Sequence, residues 1–71
     1  MLDKLAGKLK ALREANGWSQ AELAERAGVA QSSIHYIESG TRKNPGIVCL
    51  QKLAIALNVS LLELTETSKA G

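Results

Sequence analysis

Residues 19–40 read SQAELAERAGVAQSSIHYIESG. Ser19 stands before Gln20, Ala21 and Glu22, the Ser-x-x-Glu pattern of a capping box. In that arrangement the hydroxyl accepts a backbone N–H and the carboxylate reaches back to the cap. A helix is therefore predicted to begin at Gln20, with Leu23, Ala24 and Ala27 on its inner face. Gly28 stops it after two turns, because glycine tolerates the left-handed conformation that closes a helix. A second helix is predicted from Val29-Ala30 to about Ile37, ending before Gly40. Ala30 is a poor N-cap, since it offers no side-chain acceptor. Helices this short do not persist alone in water, so packing against the rest of the chain must hold both.

The remainder of the chain suits that requirement. Its 71 residues are enough for one domain, and domains this small bury only about 60 % of their unfolded surface. Hydrophobic residues make up 45 %, which excludes a disordered chain. With no Phe, one Trp and one Tyr, the core must be built from Leu, Ile, Val and Ala. The net charge of +2 permits a polyanionic partner without demanding one. A lone Cys49 beside one His falls short of the roughly four ligands of a structural zinc site. No nucleophile–base signature is present, so neither an enzyme nor a cofactor is expected. No apolar run approaches the ~20 residues that span a bilayer, and the first ten residues lack the apolar core of a signal peptide. The expected setting is the cytoplasm, with no membrane partner.

Outward from the central stretch, Leu2, Leu5, Leu9 and Leu12 recur at helical spacing, with Lys4, Lys8, Lys10 and Arg13 off the stripe. This predicts a helix from about Leu2 to Ala15, ended by Asn16-Gly17, with Trp18 packing back onto its end. Thr41 to Gly46 is a polar loop, and Pro45 is expected near the first turn of a fourth helix. Leu50, Leu53, Ala54 and Leu57 form that helix's stripe, and Asn58 ends it. Ser60 caps a last short helix around Leu61 to Leu64. The expected architecture is all-α, a compact bundle of five short helices, with one domain over residues 1–66 and a frayed polar tail over 67–71.

Two short helices joined by a tight glycine-containing turn are the helix-turn-helix geometry. In that geometry the first helix crosses a DNA backbone and the second enters the major groove. The second helix must then be apolar on one side only. At ~100° per residue, Ile34 and Ile37 project together and Ser32 and Tyr36 project opposite. His35 and Gln31 lie on one flank and Ser33 on the other. This outward face is polar and nearly uncharged. Gln31 is the best candidate base reader, since its amide can pair with adenine N6 and N7 together. Tyr36 offers a hydroxyl and a ring edge, and Ser32 suits either base or phosphate.

The order Gly17-Trp18-Ser19-Gln20-Ala21-Glu22-Leu23-Ala24, then Ala27-Gly28-Val29, Ile34 and Ile37-Glu38-Ser39-Gly40, resembles the phage-repressor-like (Cro/cI, XRE) helix-turn-helix family. The resemblance continues through Asn44-Pro45, Leu50, Leu53 to Ser60 and Leu64, and covers roughly Leu5 to Leu64. It implies a lambda-repressor-like five-helix bundle that binds double-stranded DNA as a transcriptional regulator, a repressor above all. It also implies residue roles. Gln20 would face a phosphate at a helix N-terminus. Gln31, Ser32 and Tyr36 would read bases, with Ser33 and His35 beside them on the DNA-facing helix. Arg42, Lys43 and Asn44 would flank a phosphate or the minor groove. Arg13 and Glu38 would form an ion pair between the first and third helices, with Ser19 and Gly28 as scaffold positions. The chain departs from the family pattern at Ala30, where Ser or Thr is common, and at His35, which replaces a small residue.

Val48 and Ile55 project away from the Leu50, Leu53 and Leu57 stripe of the fourth helix, and Leu62 lies beside Leu61 in the last one. Since the family often dimerises through its C-terminal part, Ile55, Val59 and Leu62 are expected to form a homodimer patch. A two-fold dimer would read a near-palindromic operator. The same patch also allows a protein partner, as in an antitoxin, and a restriction–modification controller would use the same fold.

Overall fold

The computed structural model describes residues 4–41 and 45–65. Over these residues the chain forms five helices and no strand: α1 (Leu5–Ala15), α2 (Gln20–Ala27), α3 (Gln31–Glu38), α4 (Ile47–Leu57) and α5 (Leu61–Thr65). Their principal packings close a ring, α1 on α3, α3 on α2, α2 on α4, α4 on α5 and α5 back on α1. The core fills the centre of that ring. It consists of Leu5 and Leu9 from α1, Leu23 and Ala24 from α2, Ile34 and Ile37 from α3, the four stripe residues of α4, and Leu64. Each fully buried Leu or Ile contributes about 1.5–3 kcal/mol relative to exposure. α2 and α3, of eight residues each, are thereby held by neighbours rather than by their own length.

The helix ends follow local chemistry. Ser19 caps α2, its Oγ accepting the Glu22 N–H at 3.0 Å. Ser60 caps α5 in the same way, accepting from Glu63 at 2.9 Å. The reciprocal half of the capping box does not form as the sequence suggested. The Glu22 carboxylate turns along the helix and accepts from Arg26 at 3.0 Å, an i,i+4 pair. Pro45 lies near the first turn of α4, as expected: it precedes the N-cap Gly46 and is buried. Ala30 caps α3 in extended conformation with no side-chain bond, as its chemistry requires.

Three helices end in one device. The N–H of Trp18 reaches the Arg13 carbonyl, that of Val29 reaches Ala24, and that of Val59 reaches Ala54, at 3.0–3.2 Å. Gly17, Gly28 and Asn58 sit just before them with φ of +73°, +74° and +60°. These are Schellman closures, in which an apolar residue follows the left-handed position and folds back onto the helix. Trp18, Val29 and Val59 are all partly buried and pack against the core. Val59 therefore has a packing role within the chain, while Ile55 and Leu62 remain 78 % and 73 % exposed.

At Gly28 a Cβ would meet nothing within 4 Å, so the left-handed backbone alone favours glycine. Gly28→Ala should lower stability by about 1–2 kcal/mol. Gly28→Asn should lower it less, because Asn58 already adopts the same conformation in α4. Urea unfolding of both variants checks this, and an Asn variant as damaged as the Ala variant would contradict it.

Candidate nucleic-acid interface

The turn Gly28–Val29–Ala30 sets α3 against α2 so that Ile34 and Ile37 are buried beneath it. The opposite face carries Gln31, Ser32, His35 and Tyr36 in solvent, with Ser33 half-buried at its edge. Tyr36 is 44 % exposed, and its ring lies 5.5 Å from that of His35. No carboxylate stands on this face. The one acid of α3, Glu38, is turned inward, its side chain 5 % exposed.

Glu38 is held from three directions. Arg13 Nε donates to Oε2 at 2.7 Å and Arg13 Nη2 donates to Oε1 at 2.9 Å, a bidentate charge-assisted pair. Gln20 Nε2 donates to Oε1 at 3.1 Å. The remaining Arg13 nitrogen, Nη1, donates to the Trp18 carbonyl at 2.8 Å. α1, the α1–α2 connection, the start of α2 and the end of α3 therefore meet on one ion pair. Burial works to push the Glu38 carboxyl up, but the hydrogen bonds from Arg13 and Gln20, with the charges of Arg13 and Lys10, outweigh it and hold it below the ordinary range. The hydrogen bond to Glu38 in turn carries Arg13 above its usual value, against the opposing effect of burial.

The expected residues thus divide. Gln31, Ser32, His35 and Tyr36 share one exposed face, and Ser33 borders it. Gln20 is partly buried and joins the Glu38 network instead of standing free at the start of α2. Arg42, Lys43 and Asn44 lie outside the described residues. Two residues escaped the sequence reading. Arg26 stacks over the Trp18 ring, 4.5 Å from its centroid, and braces α2 against the end of α1. Lys10 lines an open cleft beside the Arg13–Glu38 pair. Its position three residues before Arg13 was the available signal, since i,i+3 residues share a helix face. Among the described residues no group of three His, Cys, Asp or Glu could hold a metal ion.

A short polar helix presented on an apolar bed, clamped to the preceding helix through a three-residue turn, defines a helix-turn-helix domain. The chain belongs to the helix-turn-helix family of the phage-repressor (Cro/cI, XRE) type, whose model matches residues 9–64. That family is one of DNA-binding transcription regulators, not an enzyme class. The chain is 41 % identical over 59 residues to the HTH-type transcriptional regulator SinR of Bacillus subtilis, covering 83 % of this chain and 53 % of that relative. It therefore spans about half the length of the regulator it matches. A crystal structure of SinR in complex with DNA superposes with a TM-score of 0.82 at 40 % identity, over 84 % of this chain and 95 % of that one. The restriction–modification controller protein C.AhdI from Aeromonas hydrophila superposes with a TM-score of 0.81 at 40 % identity, over 89 % and 94 % of the two chains.

Glu38 gives the domain a predictable acid sensitivity. Its folded value lies below its unfolded one, so the pair contributes fully at neutral pH. That contribution is lost as pH falls from the ordinary carboxylate range through the depressed folded value. Breaking such a pair costs about 3 kcal/mol. Glu38→Gln should therefore unfold more easily at neutral pH and lose part of the destabilisation that wild type shows below about pH 4. Thermal melts across the acid range test this, and identical acid profiles for the two proteins would refute it.

Proposed function

We propose that this domain binds double-stranded DNA sequence-specifically, as the DNA-reading part of a cytoplasmic transcriptional repressor. The observation that carries the reading is the α3 face. Gln31, Ser32 and Tyr36 stand exposed and uncharged on a helix whose other side is locked by Ile34, Ile37 and the Glu38 clamp. Polar groups that reach base edges must be held rigidly, and they must not bring a carboxylate against the phosphates. α3 meets both conditions. The likeness to SinR, which was solved in complex with DNA, supports DNA binding here, and helix-turn-helix geometry puts α3 in the major groove and α2 across the backbone. The likeness to C.AhdI favours, as a second reading, a controller protein that uses the same face.

Gln31 is assigned the bidentate adenine contact, with Ser32 and Tyr36 beside it and Arg42, Lys43 and Asn44 flanking a phosphate or the minor groove. A net charge of +2 gives one copy weak non-specific attraction, so the unit acts in pairs. Ile55 and Leu62, on the outer faces of α4 and α5, are the exposed apolar residues that a two-fold partner would cover. Such a dimer sets two recognition helices about one DNA turn apart and reads a near-palindrome.

Gln31→Ala should weaken binding to the preferred duplex by about 1–3 kcal/mol and relax the choice at one base pair, while Lys43→Ala should weaken all sequences alike. Equal losses for Gln31→Ala on preferred and random duplexes would refute the base-reading role. For the dimer, Leu62→Glu should shift sedimentation toward monomer and weaken operator binding. A wild-type chain that stays monomeric at high concentration would sink that part of the reading.

A further inference from the structure

Beside the reading face lies an open cleft of about 240 Å³, lined by Lys10 and Arg13 from α1, Gln20 from α2, and His35, Glu38 and Ser39 at the end of α3. Its charges are unevenly committed. Arg13 and Glu38 neutralise each other, and Gln20 gives an amide proton to the same carboxylate. The Ser39 hydroxyl is bonded to the Tyr36 carbonyl and to Thr41. Among the described residues Lys10 and His35 make no side-chain hydrogen bond or ion pair. The Lys10 ammonium nevertheless stands close enough to bear on the Glu38 carboxyl. The cleft thus holds one uncommitted ammonium and one imidazole at a polar, solvent-open wall, on the same flank of α3 as Gln31.

We infer that this cleft is a backbone-phosphate seat, in which Lys10 and His35 together bind one phosphate of the strand whose bases α3 reads. Lysine binds phosphate as a point charge, and histidine is the side chain that gains its charge between about pH 5 and pH 8. The contact extends the interface beyond the helix-turn-helix unit onto α1, and it gives a mildly basic domain one strong anion site. It also makes DNA affinity depend on pH. Lining the cleft with His35 are Lys10 and Arg13 from α1, the neutral Gln20 from α2, and Glu38 from its own helix, while the Tyr36 ring lies beside the imidazole. With Arg13 and Glu38 neutralising each other, a bound phosphate favours the charged imidazole. Binding therefore takes up a proton. His35 is the only histidine in the chain, which makes that dependence assignable. The inference rests on the DNA-binding reading and deepens it.

The test is fluorescence titration of the whole chain against a short random-sequence duplex at several chloride concentrations. Lys10→Gln should melt as wild type does and flatten the slope of log affinity against log salt by about one unit. Wild type should bind several-fold more tightly at about pH 6 than at about pH 8, and His35→Gln should bind with most of that difference gone. A Lys10→Gln protein that binds with an unchanged salt slope, or a His35→Gln protein that keeps the full pH dependence, would overturn the phosphate seat alone. A wild type that binds no duplex at any salt would overturn the DNA reading itself.

Discussion

The bidentate contact between Arg13 and Glu38 is the constraint on which the rest of the domain depends. It joins residues 25 apart in sequence, from the end of α1 to the end of α3. Its value lies less in net stability than in placement, because removing two charges from water offsets most of their attraction. What matters is that neither group tolerates losing the other. α3 has only two turns and an uncapped N-terminus, so it has little means of fixing its own direction. Ile34 and Ile37 fix its depth, and Glu38 fixes its C-terminal end through Arg13. The spare Arg13 nitrogen on the Trp18 carbonyl ties the same ion pair to the α1–α2 connection, and Gln20 ties it to α2. The orientation of the reading face is thus set by one polar knot at its edge.

Much of this was legible from residue order. Ser19, Gly28, Asn58 and Ser60 mark helix ends by chemistry that acts within a few residues, and each marks the end it should. The outward set Gln31, Ser32, His35 and Tyr36 follows from the helical period once Ile34 and Ile37 are taken as core. The misreadings share one cause, which is competition from contacts that local patterns do not contain. Glu22 fits a capping box but meets Arg26 on the next turn. Val59 fits a dimer patch beside Ile55, yet the Schellman closure packs it against the core. Gln20 fits a free helix N-terminus, yet the incoming Glu38 carboxylate captures its amide. The Arg13–Glu38 pair itself followed from the family resemblance and from no spacing rule. The cleft at Lys10 depends on how α1 meets α3, which no single helix records.

The domain separates scaffold from content. The ring of packings and the ion-pair knot are indifferent to sequence preference on the DNA, whereas the exposed residues of α3 can vary with little consequence for the fold. Such a division lets one bundle serve many operators.

Selection from randomised duplex DNA with the wild-type chain tests the central claim most directly. If α3 reads bases from a two-fold pair, the retained sequences converge on one motif with two inverted half-sites whose centres are about 10 base pairs apart. Retention without convergence, falling uniformly as salt rises, would show an electrostatic binder with no reading face and would contradict the account.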